Sequence, residues 1–149
     1  MTAAKVLVVV AHPVIASGIE TLLRLEADYD VRRVASIPEA AKQQEWHPDV
    51  ALIDGTLLTG YVDATIGAPA FVLSGNERDG RQLARRLDDG RGWLRKDATG
   101  KELAQAIRSA MRGEEAGATG LGTLGVVTIA LLSLVVLALV AYLLWLAVY

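Results

Sequence analysis

The chain has no cysteine, which excludes a disulfide, a zinc-thiolate site and a thiol nucleophile and fits a cytoplasmic domain. It also lacks a basic surplus. A formal net charge of -2 argues against general nucleic-acid affinity, because binding phosphates needs an excess of Lys and Arg. The opening MTAAKVLVVV carries one lysine and an apolar run too short for a signal peptide's layout, and reads as a first strand. The most informative lack is of charge toward the C-terminus: every charged residue lies at or before Glu115, and Ala116 to Tyr149 has none. The hydrophobic content of 52% therefore averages an ordinary charged domain and a nearly pure hydrocarbon segment. A length of 149 residues allows one globular domain and little more.

Residues 126–149, VVTIALLSLVVLALVAYLLWLAVY, contain only Thr128 and Ser133 as small hydroxyl residues, and both hydroxyls can bond back to a helical carbonyl. As a helix the segment would reach roughly 36 Å, enough to cross a hydrocarbon core of about 30 Å. Tyr142, Trp145 and Tyr149 gather at its far end, where amphipathic rings favour a membrane interface. A domain this small could not cover such a helix on all sides. The expectation is a C-terminal transmembrane helix, Val126 to Tyr149, acting as a tail anchor with the N-terminal domain in the cytosol. Residues 115–125, rich in glycine, read as a flexible linker. The literal G-x-G-x-x-G at Gly120, Gly122 and Gly125 has no strand before it, so it is no dinucleotide site.

In residues 1–114, apolar runs alternate with helical patterns. Strands are expected at Val6–Val10, Tyr29–Val34, Val50–Ile53, Ala70–Leu73 and Gly92–Leu94, and helices at Pro13–Glu26, Ile37–Gln44, Gly80–Leu87 and Gly100–Arg112. SIPE at 36–39 and TGKE at 99–102 both fit a capping box. The first helix should bury Ile15, Ile19, Leu22 and Leu23, and the last Leu103, Ala106, Ile107 and Ala110. His12 and His47 each precede a proline and read as turn residues. Apolar strands suit a parallel sheet covered on both faces, a doubly wound α/β fold. Ligands then sit beyond the carboxyl ends of the strands, which gathers Ala11, His12, Asp54, Ser74 and Lys96 at one mouth.

The segments HPVIASGIETLL, HPDVALID and GWLRKDATGKELAQAIRSAMRGE resemble a response-regulator receiver of the NarL type over roughly residues 4–114. The resemblance implies a five-stranded flavodoxin/CheY-like sheet in a bacterial signalling protein. It implies Asp54 as phospho-acceptor, Ser74 as switch hydroxyl, Lys96 as phosphate-pairing lysine and Trp93 as switch aromatic. Two departures weigh against that chemistry. Where the family places adjacent acids after the first strand, to hold Mg²⁺, stand Val10 and Ala11. Only 20 positions separate Asp54 from Ser74, fewer than the family usually has, so the third helix should be shortened or missing.

The reading is therefore a degenerate, membrane-anchored pseudo-receiver with no enzymatic activity, no catalytic or metal-ligating residues and no cofactor. Asp54, Ser74 and Lys96 form a vestigial pocket. It should act by protein contact at the bacterial inner (cytoplasmic) membrane, as a homo-oligomer or with other membrane or signalling proteins. The basic Arg81, Arg85 and Arg86 offer a possible interaction face. With a linker and span where the family's helix-turn-helix would stand, no nucleic acid is expected as partner. Alternatives are a working phosphorelay receiver phosphorylated at Asp54, a small-molecule sensor using the altered pocket, and a structural subunit of a membrane complex, whose span could pack through Ala130, Ser133, Ala138 and Ala141.

Overall fold

The computed structural model describes residues 2–113; the expected linker and span lie outside the described residues. Five parallel strands make one sheet in the order β2-β1-β3-β4-β5: β1 (Lys5–Val9), β2 (Asp30–Val34), β3 (Val50–Asp54), β4 (Ala70–Ser74) and β5 (Gly90–Arg95). Side chains alternate across a strand, so Val6, Val8 and Val10 enter one apolar layer while Leu7 and Val9 enter the other. Helices α1 (Pro13–Glu26) and α4 (Gly100–Met111) cover the first layer through Ala16, Ile19, Leu23, Leu103 and Ile107. The second layer is covered by α2 (Ile37–Ala41) and α3 (Glu77–Ala84). This is the doubly wound α/β architecture. Among the described residues no helix is long and apolar enough to cross a membrane.

The crossover from β3 to β4 holds no α-helix, only a 3₁₀ turn at Gly55–Leu58 followed by irregular chain. It still seals the sheet, because Leu58, Ala64 and Ile66 are buried. Its backbone is tied to the turn after α3: Ala64 N–H donates to Arg86 O at 2.7 Å, and Asp88 N–H to Ala64 O at 3.1 Å. The Asp88 carboxylate accepts from Ile66 N–H at 3.0 Å and Gly67 N–H at 3.2 Å. The backbone groups that a helix would satisfy internally are thus met from a neighbouring turn.

Local chemistry explains where expected boundaries moved. TGKE closes a full capping box, with Thr99 Oγ1 accepting from Glu102 N–H and Glu102 accepting from Thr99 N–H. In SIPE, Ser36 Oγ accepts from Glu39 N–H, but the Glu39 carboxylate reaches one residue further back, to Ala35 N–H. Helix α2 gives way to a 3₁₀ turn, Lys42–Trp46, which ends at His47 in the left-handed region with φ 51°. Helix α3 starts at Glu77, not Gly80, because Asn76 caps it, accepting from Arg78 and Asp79 N–H. On α1 the expected buried face is rotated. Ala16, Ile19 and Leu23 are buried, whereas Ile15 is 51% and Leu22 38% exposed. The apolar arc of α1 is wider than its neighbours cover.

Candidate functional site

The carboxyl ends of β1, β3, β4 and β5 bring together the residues that the sequence assigned to one mouth. Asp54 is the last residue of β3 and caps the 3₁₀ turn behind it, its Oδ1 accepting from Thr56 N–H at 3.0 Å. The same oxygen lies 3.0 Å from Lys96 Nζ, an ion pair in which the Asp54 side chain is 14% exposed and that of Lys96 46%. Burial pushes the Asp54 carboxyl up. The Thr56 N–H and the Lys96 ammonium oppose that and prevail, holding its pKa below the ordinary aspartate range. Asp54 is therefore an ionised and already partnered carboxylate.

β1 and β3 pair with Val9 opposite Ile53, so Val10 stands level with Asp54. Val10 is 3% exposed, donates its backbone N–H to Val34 O at 3.0 Å, and adds its side chain to the apolar layer. Ala11 and His12 follow on the surface. Neither Val10 nor Ala11 brings a side-chain oxygen toward Asp54, and among the described residues no group of three or more His, Cys, Asp or Glu is placed to hold a metal ion.

Ser74 ends β4 and is buried. Its Oγ donates to Asn76 O at 3.0 Å and accepts from Asn76 N–H at 3.2 Å, so the hydroxyl is committed to its own loop. Helix α3 presses on it. A Cβ at Gly80 would lie 2.8 Å from Trp93 Cβ and 3.1 Å from Ser74 Cβ. Trp93, on β5, is half-buried beneath that contact. Ser74, Gly80 and Trp93 thus form one packed unit. The role of Gly80 and the cap at Asn76 escaped the sequence reading, although the run Ser-Gly-Asn after an apolar strand is a signal for such a turn.

The three arginines of the expected interaction face divide. Arg81 pairs with Glu77 at 2.6 Å and Arg85 is exposed. Arg86 lies beyond the end of α3, half-buried, and donates to Leu58 O at 3.4 Å and Tyr61 O at 3.1 Å. It holds the irregular crossover in place and leaves Arg81 and Arg85 as the outward pair. Between that crossover and α3 lies a cleft of about 460 Å³, lined by Thr56, Thr59, Asn76, Asp79, Gln82 and Lys96 among others.

No protein-family model matches the sequence, and no curated protein matches it. Solved structures do. The signal receiver domain of a response regulator NarL from Mycobacterium tuberculosis is 19% identical, with a TM-score of 0.58 over 76% of this chain and 100% of that one. A LuxR-family two-component response regulator from Aurantimonas is 21% identical, with a TM-score of 0.61 over 79% and 91%. A response regulator from Chloroflexus aurantiacus is 23% identical, with a TM-score of 0.56 over 74% and 99%. With the β2-β1-β3-β4-β5 sheet and the mouth at its carboxyl edge, these likenesses establish that residues 2–113 have the CheY-like receiver fold.

Proposed function

We propose that the chain is a pseudo-receiver: a signalling module tethered to a membrane by residues 126–149, acting through protein contacts and without Mg²⁺-dependent phosphorylation. The observation that carries this reading is the state of the mouth. Mg²⁺ demands near-octahedral oxygen ligands, and the residues present do not fit it. The positions beside Asp54 hold a buried valine and an alanine, and Asp54 already engages Lys96 and Thr56. Phosphoryl transfer depends on positioning and on neutralising charge at the transferred group, and among the described residues Lys96 is the one cation paired with this carboxylate. The apolar, uncharged run from Ala116 to Tyr149 supports the tether.

Incubation of the full chain with acetyl phosphate and Mg²⁺, followed by intact-mass measurement, tests this directly. An unchanged mass is expected. A gain of one phosphoryl group, lost in Asp54→Asn, would establish a working receiver instead.

A further inference from the structure

The helixless crossover leaves a space that the fold does not fill. Between its 3₁₀ turn and α3 runs the cleft of about 460 Å³, a size that small-molecule sites commonly have. Its floor is apolar. Leu73 and Leu83 line it, and Gly55 closes the bottom, where a Cβ would lie 3.0 Å from Leu83 Cδ1. One wall is a stripe of α3 and the turn after it: Asp79, Gln82, Leu83 and Arg86 line the cleft at helical spacing. Seven residues along a helix place Asp79 and Arg86 roughly 10 Å apart. The two ends differ in charge. At the carboxyl edge of the sheet Lys96 is already matched by Asp54 at 3.0 Å, which leaves Asp79 as the carboxylate in excess. Glu77, in the same first turn of α3, has its arginine at 2.6 Å, whereas Asp79 has no cation partner among the described residues. At the far end Arg86 meets only neutral acceptors, the carbonyls of Leu58 and Tyr61, both through Nη1. No carboxylate among the described residues answers its charge.

We infer that the cleft binds a small zwitterion, with a protonated amine at Asp79, a carboxylate at Arg86 and an apolar body over Leu73 and Leu83. The opposed ends decide the class. A simple anion would gain Arg86 but meet Asp79, and a simple amine would gain Asp79 but meet Arg86; a ligand carrying both charges avoids both repulsions. Guanidinium suits the carboxylate end, because its planar fork matches two carboxylate oxygens. The spacing decides the length. An α-amino acid, whose two charges adjoin, cannot reach both ends, whereas an ω-amino acid or a dipeptide can. The inference rests on the pseudo-receiver reading in one respect: Asp54 must stay unphosphorylated for Lys96 to remain neutralised.

The test is a calorimetric titration of the full chain, kept in solution with a mild non-ionic detergent. The probe is ε-aminocaproate, a flexible ω-amino acid whose extended length suits the two ends. Caproate, hexylamine and glycine are the controls. ε-Aminocaproate should bind, and each control should bind roughly tenfold more weakly or not at all, since each loses a charge-assisted contact. Asp79→Asn should weaken ε-aminocaproate by roughly tenfold or more while its melting temperature stays near wild type. Asp79→Lys makes both ends positive and should transfer the preference to adipate, a gain that a merely damaged fold could not produce. No binding of ε-aminocaproate, equal binding of caproate or hexylamine, indifference to Asp79→Asn, or no preference for adipate in Asp79→Lys overturns the assignment. Acetyl phosphate treatment separates the two readings. A gain of one phosphoryl group in a chain that binds ε-aminocaproate before treatment overturns the pseudo-receiver alone. An unchanged mass in a chain that binds no ε-aminocaproate overturns the zwitterion site alone.

Discussion

At the scale of single residues, the mouth is decided by what Asp54 already binds. Its carboxylate serves two structural purposes, capping the 3₁₀ turn through Thr56 and pairing with Lys96. Lys96 is half in solvent, so water screens the pair and its share is small; the cap is the larger part. Asp54→Ala should cost about 1–2 kcal/mol of unfolding free energy at neutral pH, read by urea denaturation. The pH dependence has a definite sign. A carboxyl whose pKa is lowered by folding stabilises the fold above its unfolded pKa, and that contribution disappears as pH falls through the lowered value. The difference between wild type and Asp54→Ala should accordingly be constant near neutrality and shrink on acidification below the ordinary aspartate range. A difference that grew toward acid would mean that the carboxyl is raised, and that Lys96 does not hold it.

At the scale of elements, the crossover between β3 and β4 shows what sequence reports and what it withholds. That its helix would be shortened or missing was legible only through the receiver resemblance, whose spacing is longer; length alone does not forbid a helix, since the equally long passage from β4 to β5 holds α3. How such a passage could still seal the sheet was not legible. That depends on Asp88, 22 residues after Ile66, and on an isolated bridge between Ala64 and Leu87; no local pattern encodes either. The five strands were legible to within two residues, because apolar runs in a parallel sheet are nearly continuous. The buried face of α1 was misread, since periodicity locates an apolar arc but not the part of it that neighbours cover. The gathering of Asp54, Ser74 and Lys96 followed from topology alone, whereas the bonds that hold Ser74 to Asn76 needed coordinates. The pinning by Asp88 has a measurable consequence. Asp88→Ala leaves the N–H groups of Ile66 and Gly67 without their acceptor, and losing a charged acceptor costs about 1.5–3 kcal/mol per bond at most. Partial exposure to water reduces that, so a loss of about 1–3 kcal/mol is expected. Faster hydrogen exchange should be confined to the 59–69 segment. Unchanged exchange there would show that the buried Leu58, Ala64 and Ile66 hold the crossover without it.

At the scale of the whole molecule, the five-stranded parallel sheet carries the Asp54–Lys96 pair at its carboxyl edge, where Val10 and Ala11 present only hydrocarbon side chains. Val10 belongs to the same apolar layer as Leu23, Phe71 and Ile107, so the mouth at that point has been absorbed into the core. Restoring acids should therefore set metal binding against folding. In Val10→Asp/Ala11→Asp, a carboxylate replaces a buried valine beside ionised Asp54, and both desolvation and like-charge repulsion oppose it. The double variant should melt well below wild type in the absence of divalent cations. A site with three carboxylates can take Mg²⁺ only in the folded chain, and a ligand bound by the native state alone stabilises it by about 2.7 kcal/mol at a hundredfold excess over its dissociation constant. Millimolar Mg²⁺ should consequently raise the melting temperature of the double variant by several degrees and leave that of wild type unchanged, with Ca²⁺ and high NaCl as controls for charge screening. Equal shifts in both proteins would mean that wild type already binds the ion, and the pseudo-receiver reading would fall with its central argument.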